Sequence, residues 1–388
     1  MPDVPARGFA EAEFAARTQQ AQILMAKQGL AGLLLMSEPE VRYFSGFHTL
    51  FWQSPTRPWF LFIPSAGKPV AVIPEIGADL MRRTWVDDIR TWGAPAPDND
   101  GLSLLTDLLL PLAVRGDTIG LMKGHETSLR MPLGDYEHLM NGLSGLKVAD
   151  ATGLIRSLRM VKSKAEIAKI AHICTIGTRV FSEVPNMAHA GQPFEDVFRG
   201  FQREALLQGA DDVPYLVGGA DQGGYHDVIS PPTKRPLATG DVFMLDTGAT
   251  WDGYFCDFNR NFAVGHADDV SRRAYDVLWR ATQAGLEAVR PGMTCRDLFQ
   301  TMQDVIATMD NRGGNVGRLG HGLGMQLTEW PSLAAFDDTT IQENMVLTLE
   351  PSLGYGAGRV MVHEENIVVE ANGARLLTDR AAPELPVI

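Results

Sequence analysis

Cysteine is scarce in this chain of 388 residues: Cys174, Cys256 and Cys295 are its only three, widely separated and without a CxxC pair. An odd, scattered set makes neither a disulfide framework nor a thiolate metal knuckle, and reads as reduced, mostly buried residues of a cytoplasmic protein. Long apolar runs are missing as well. No stretch approaches the ~20 residues of a membrane span, and the opening segment MPDVPARGFAEAEF has no apolar core of signal-peptide length and acids that a transit peptide avoids. Positive charge is also in deficit, with 34 Lys+Arg against 47 Asp+Glu and a formal net charge of −13. Phosphate contact needs a concentrated basic surface, so nucleic acid is excluded as the main partner. Three catalytic signatures are absent too. There is no GxSxG of a serine hydrolase. The HEENI segment at His363 lacks the second histidine of HExxH. Neither GYGAG nor GHGLG joins a strand to a helix within a βαβ unit, so dinucleotide binding is unsupported. Neither nucleic acid nor a membrane is an expected partner.

What is present suggests two domains, since the chain is long for one core at ~150 residues per domain. FAEAEFAARTQQAQILMAKQG has helical spacing and ends at Gly29, and LAGLLLMS is a short buried-strand run. WFLFIP, PVAVIP and TIGLM predict further strands, with SAGK turning between the first two, so residues 1–153 read as an α/β domain. Past Asp150 the pattern changes. A long helix begins at a capping box of Ser163 and Glu166, DVSRRAYDVLWRATQAGLEAV is a second, and Thr294 with Asp297 starts a third. DVFMLDTGA, GYFCDFNRNFAV, MVLTLEPSL and RVMVHEENIVVE read as strands between and after them, making residues 154–388 an α+β domain.

Acidic residues gather in that second domain. Asp-Gly at Asp252–Gly253 between two extended runs is a strong hairpin signal, and a turn there places Asp246 opposite or diagonal to Asp257, within roughly 4.5 to 8 Å. Two buried carboxylates on one face need a shared proton or a cation. The alternative is a pair of exposed aspartates near the turn. Glu350 ends MVLTLE, Glu364 lies in VMVHEENIVV, and His321 sits between Gly320 and Gly322 in RLGHGLGMQLTEWPS. Glycines on both sides leave the backbone open to close approach by a ligand or metal, the alternative being a structural or turn role for the histidine. Four acids with one imidazole suit one or two divalent ions such as Mn, Co, Fe or Zn, and suit a thiolate-preferring ion poorly. In the first domain, FHTLFWQSPTRPWF offers Trp52 and Trp59 either as a cation–π wall for a small cationic substrate or as packing residues.

The ordered set MLDTG, FCDFNR, GHGLG, TLEPS and HEEN resembles the pita-bread metallopeptidases of family M24, the creatinase, prolidase and aminopeptidase P group. The match covers the whole second domain, and the α/β first domain is similar to that of creatinase and prolidase. The resemblance implies a dinuclear-metal hydrolase of Xaa-Pro dipeptidase or aminopeptidase P type. Asp246 would bind one ion, His321 and Glu350 the other, and Asp257 and Glu364 would bridge both, with Glu350 also managing a proton. It implies a substrate-contacting role for His226, and it implies homodimers. Two positions depart from the peptidase pattern: Thr328 stands where a second histidine usually follows the first, and Val362 where an arginine usually precedes the last glutamate, with Arg359 three residues out of register. A hydroxyl does not shuttle protons near neutral pH as imidazole does. These losses leave open a specialised small-molecule enzyme on the same scaffold, an ectoine-type hydrolase or a dimethylsulfoniopropionate lyase. A binding module without catalysis is the reading from outside enzymology.

Overall fold

Six strands form the sheet of the first unit, Ala6–Arg159, in a computed structural model that describes residues 4–54, 57–309 and 317–388. They are β1 (Gly32–Leu35), β2 (Phe60–Pro64), β3 (Val70–Pro74), β4 (Asp88–Trp92), β5 (Thr118–Leu121) and β6 (Lys147–Asp150), in the order β4-β3-β2-β1-β5-β6. The expected turn between β2 and β3 is there, with Gly67 at φ +90°. β1 is buried along its whole length because both faces of the sheet are covered, which is why its sequence is an unbroken apolar run. The edge strands β4 and β6 carry no such run, being DIRTW and KVAD, and periodicity does not reveal them. The unit ends with the helix Thr152–Met160, which turns Leu154, Ile155 and Leu158 inward and pairs Arg159 with the buried Glu40 at 2.5 Å.

The second unit, Met160–Ile388, is built of helices and mainly antiparallel hairpins. Both expected capping boxes are formed. Ser163 accepts from the Glu166 amide ahead of the helix Lys164–Ser182, and Thr294 from the Asp297 amide ahead of Cys295–Ile306. Each such N-cap is worth about 1 kcal/mol. Two further helices, Phe194–Leu207 and Asp269–Ala288, complete the longer ones.

The strands are β7 (Asp212–Gln222), β8 (Asp241–Trp251), β9 (Tyr254–Phe255), β10 (Phe258–Ala263), β11 (His321–Gly322), β12 (Glu329–Ser332), β13 (Val346–Leu349), β14 (Ser352–Tyr355), β15 (Arg359–Val362), β16 (Glu365–Glu370) and β17 (Gly373–Leu376). β10-β8-β7 form one sheet with β9 attached to β8, β12-β11-β13-β16-β17 form another, and β14-β15 pair separately. Leu278, Met302, Leu349 and Ile367 belong to one continuous core that joins the helices Asp269–Ala288 and Cys295–Ile306 to the second sheet. The long strand β7 escaped periodicity because Pro214 and Gly218–Gly219 interrupt its pattern. No helix among the described residues is long and apolar enough to cross a membrane.

Candidate metal centre

Hairpin geometry sets the first two carboxylates. Trp251 pairs with Tyr254, leaving Asp252 and Gly253 as a two-residue turn, with φ of 46° and 68°. Positive φ at both central positions is the type I′ signature, matched to the twist of the flanking strands. The buried Lys169 holds this turn from the neighbouring helix, its Nζ 2.5 Å from Asp252 Oδ2. From the turn the register runs on to pair Asp246 with Asn259. Asp257, two residues before Asn259, is therefore diagonal to Asp246 on the same face. The Asp257 backbone is clamped by the Asn366 side chain, which accepts from its amide at 3.0 Å and donates to its carbonyl.

The second sheet delivers the remaining groups. His321 begins β11, and its amide donates to Thr348 Oγ1 at 3.0 Å while the Glu350 amide donates to Leu319 O at 2.9 Å. The glycines beside the histidine are explained by backbone approach. A Cβ at Gly320 (φ +146°) would lie 2.2 Å from Thr348 O, and one at Gly322 2.4 Å from Trp330 O. His321 Nε2 is 3.2 Å from Glu350 Oε2 and 3.4 Å from Asp257 Oδ2. Donor atoms of Asp257, His321 and Glu364 all lie within 4.8 Å of one another, and all three residues are buried. Arg260 donates to the Glu364 carbonyl at 2.8 Å and so ties down the link, His363–Glu364, between β15 and β16.

Electrostatics make the cluster unstable as a set of carboxylates alone. Burial, then the charges of Asp257 and Glu350, hold the Asp246 carboxyl well above the usual range. Burial, then Asp257, Glu350 and Asp246, do the same to Glu364. Burial pushes Asp257 up to about 6 although His321 opposes it. His321 supplies the local countercharge. Burial pulls its pKa down, but Glu350 and Asp257 outweigh that and push it up to about 10. Burial raises Glu350 as well, yet His321 outweighs it and leaves this carboxyl lowered.

A cation fits this arrangement on three counts. Asp246 Oδ1, Glu364 Oε1 and Asn259 Oδ1 are buried acceptors without a hydrogen-bond partner, a condition that costs about 1–3 kcal/mol per group if nothing fills it. His321 Nδ1 donates to Gly322 O at 2.8 Å, which orients the ring and presents Nε2 to the acids, as a metal-ligating imidazole requires. The donor set is oxygen-rich with a single imidazole, as hard and borderline divalent ions prefer.

Other expected site residues stand elsewhere. His226 is exposed, its Nδ1 3.0 Å from Gly358 O and its Nε2 3.9 Å from Asp221 Oδ2, in a concavity also lined by Phe194, Ser230 and Arg235. Arg359 is engaged by Asp268 at 3.3 Å. Thr328 is exposed in the loop between β11 and β12, and its neighbour Glu329 is held by the buried Lys162 at 3.0 Å. Val362 is a buried residue of β15. Of the two readings of Trp52 and Trp59, their burial favours packing over a cation–π wall: the residues are 7% and 1% exposed and pack on each other at 5.7 Å, and the protein's own Arg130 lies 4.8 Å over Trp52. Large rings this close to Phe47 gain more from burial than from an open face.

Tyr215 was not legible as a site residue. It sits on β7 opposite Gly248, diagonal to Asp246, and burial, then the charges of Asp246, Asp257, Glu364 and Glu350, raise the pKa of its phenol. Only the pairing of β7 with β8 reveals it.

Comparison with known proteins agrees with this geometry. Residues 168–371 match the sequence profile of metallopeptidase family M24, and residues 17–161 that of the creatinase/prolidase N-terminal domain. The chain is 27% identical to the probable dipeptidase PepE of Mycobacterium tuberculosis, over 98% of each chain. It is also 27% identical to the Xaa-Pro dipeptidase of Pyrococcus furiosus, over 58% of this chain and 65% of that one. Dipeptidase PepE from Mycobacterium ulcerans superposes with a TM-score of 0.84 at 27% identity, covering 98% of this chain and 99% of that one. The prolidase from Thermococcus sibiricus shares the fold with a TM-score of 0.86 at 21% identity, over 97% and 99%.

Proposed function

The chain belongs to metallopeptidase family M24, and on that premise we propose that it hydrolyses the amide bond of a short peptide, most simply an Xaa-Pro dipeptide, at a centre of two divalent ions. Manganese, cobalt, iron and zinc all suit such a donor set. Asp246, Asp257, His321, Glu350 and Glu364 would hold the ions. The observation that carries this reading is the convergence of buried Asp257, His321 and Glu364 on one point beside carboxylate oxygens that have no donor.

A pair of divalent ions supplies, when bound, Lewis acidity toward the amide carbonyl and toward water. The chain's own groups do the rest. Glu350 is ionised and retains 19% side-chain exposure, so it meets solvent and accepts the proton that water releases on attacking the carbonyl. The Nδ1 bond of His321 to Gly322 O fixes its ring. His226, exposed and with Nδ1 anchored on Gly358 O, is assigned a substrate contact. The enzyme is read as a cytoplasmic homodimer, which size-exclusion chromatography with light scattering tests.

The missing imidazole at Thr328 and guanidinium at Val362 favour one rival substrate class, compact zwitterions processed on the same scaffold. Metal analysis of the purified protein, with assays of Xaa-Pro dipeptides beside such zwitterions, tests the reading. The expected result is bound divalent metal and dipeptide hydrolysis lost on chelation. Undiminished hydrolysis by thoroughly metal-free protein overturns it, and turnover of zwitterions alone moves the substrate to the rival class.

A further inference from the structure

Asn259 carries no metal motif in the sequence, yet its side chain lies inside the acid cluster. It is 2% exposed and directly opposite Asp246 in the β8–β10 ladder, so the two side chains share a face. Its Nδ2 points to Glu364 Oε2 at 3.5 Å, and its Oδ1 is buried with no hydrogen-bond partner. The amide orientation follows from its neighbour. Exchanging oxygen and nitrogen would set acceptor against acceptor at Glu364. The two acids it meets, Asp246 and Glu364, each have an unpartnered buried oxygen as well. Three buried acceptors that meet no donor among the described residues thus belong to adjoining side chains, Asn259 being opposite Asp246 and beside Glu364.

We infer that the Asn259 side-chain carbonyl is an additional, neutral oxygen ligand to a divalent ion held by Asp246 and Glu364. This rests on the metal-dependent reading above and adds to it a preference among ions. Four carboxylates already balance two divalent charges, so a further acid would leave the centre negative, whereas an amide raises the coordination number at no cost in charge. An ion that seeks six oxygen-rich ligands, such as Mn²⁺, gains from the added donor. Zn²⁺, satisfied by four, gains less. Asn259 thereby tilts the centre toward the higher-coordinate ion.

The test uses the full chain stripped of metal by chelation and titrated calorimetrically with MnCl2 and, separately, with ZnSO4. Asn259→Ala is expected to weaken Mn²⁺ binding by roughly tenfold or more, the order seen when a metal site loses a supporting group, and Zn²⁺ binding by clearly less. Asn259→Asp keeps an oxygen at the same place and is expected to hold Mn²⁺ about as well as the wild type. Asn259→Ser, which shortens the side chain, replaces the alanine variant if that one does not fold, with the same expected loss. Wild-type Mn²⁺ affinity in Asn259→Ala overturns the inference. Equal loss of both ions overturns it as well, because Asn259 would then act only by orienting Glu364. Failure of the wild-type protein to bind either ion strikes the metal-dependent reading itself, and shows in the wild type before any variant is made.

Discussion

Glu365 is fully buried and lies among donors: Arg260 Nη2 at 2.9 Å, Arg380 Nη1 at 3.2 Å, the Ala381 amide at 2.9 Å and the Thr378 hydroxyl. Glu364, the preceding residue and nearly as buried, has an oxygen with no donor and three carboxylates close enough to raise its pKa. The pattern repeats along β8. Asp241 is held by Arg235 at 2.6 Å, by Gln222 at 2.6 Å and by the Ala238 amide at 2.8 Å, whereas Asp246, further along the same strand, has an unpartnered buried oxygen. Burial raises all four carboxyls, but in Glu365 and Asp241 the cations and amides outweigh it, so those two end below their ordinary values while Glu364 and Asp246 end above. Buried acids of the first kind hold the fold together. Those of the second kind destabilise it until a positive charge arrives from outside the chain.

The largest test of that contrast is Asp257→Ala. Metal content and peptide hydrolysis are expected to fall to background together, read by elemental analysis and by dipeptide assay on one preparation; full activity in a metal-free variant would break the comparison. Glu365→Gln should act on the other side of it. Removing one partner of a buried charge group costs about 3–5 kcal/mol, seen as a lower denaturant midpoint, while the metal stoichiometry of the protein that remains folded stays unchanged.

A third test uses pH on the chelated protein. Asp246 and Glu364 have folded-state pKa values above their unfolded values, so the folded state binds more protons and stability falls as pH rises past the ordinary carboxylate range near 4. His321 is also raised, so its contribution is complete below its unfolded value near 6.5 and is lost as pH climbs through about 10. Glu365 and Asp241 have the opposite sign: their contribution is present above pH ~4 and disappears only as pH falls through their lowered values. Metal-free protein should therefore show a melting temperature that declines from mildly acidic to alkaline pH, and saturating divalent metal should flatten that decline. An identical pH profile with and without metal would remove the distinction between the two kinds of acid. The smallest expected effect is that of Thr328→His. The position is exposed, so stability should change by no more than about 0.5 kcal/mol, while kcat/KM for an Xaa-Pro dipeptide rises and metal content stays the same.

The hairpin at Asp252–Gly253, the capping boxes and the oxygen-rich cluster were legible because each rests on local spacing: a turn dipeptide, a Ser or Thr three residues before an acid, acids at the ends of apolar runs. The glycines beside His321 were ambiguous because the reason for them, the carbonyls of Thr348 and Trp330, lies on other strands. Tyr215 and Asn259 were invisible for the same reason. A tyrosine or an asparagine in a strand acquires meaning only when pairing places it against Asp246. Trp52 and Trp59 were open between a cation–π wall and packing. Composition alone does not say whether an aromatic cluster opens to solvent, and here Arg130 already occupies the position over Trp52 that an external cation would take.

The two-residue turn at Asp252–Gly253 also makes the β8–β10 hairpin a ruler. Strand side chains alternate faces, so one residue inserted or deleted between Asp246 and Asp257 would send the second carboxylate to the far side of the sheet, out of reach of His321. Lys169 anchors the tip of the ruler at Asp252. The segment 223–240, which joins β7 to β8 at the opposite end, measures nothing of the kind, because the pairing of those two strands is set along their own length. Length variation should therefore accumulate there, while the distance from Asp246 to Asp257 stays fixed.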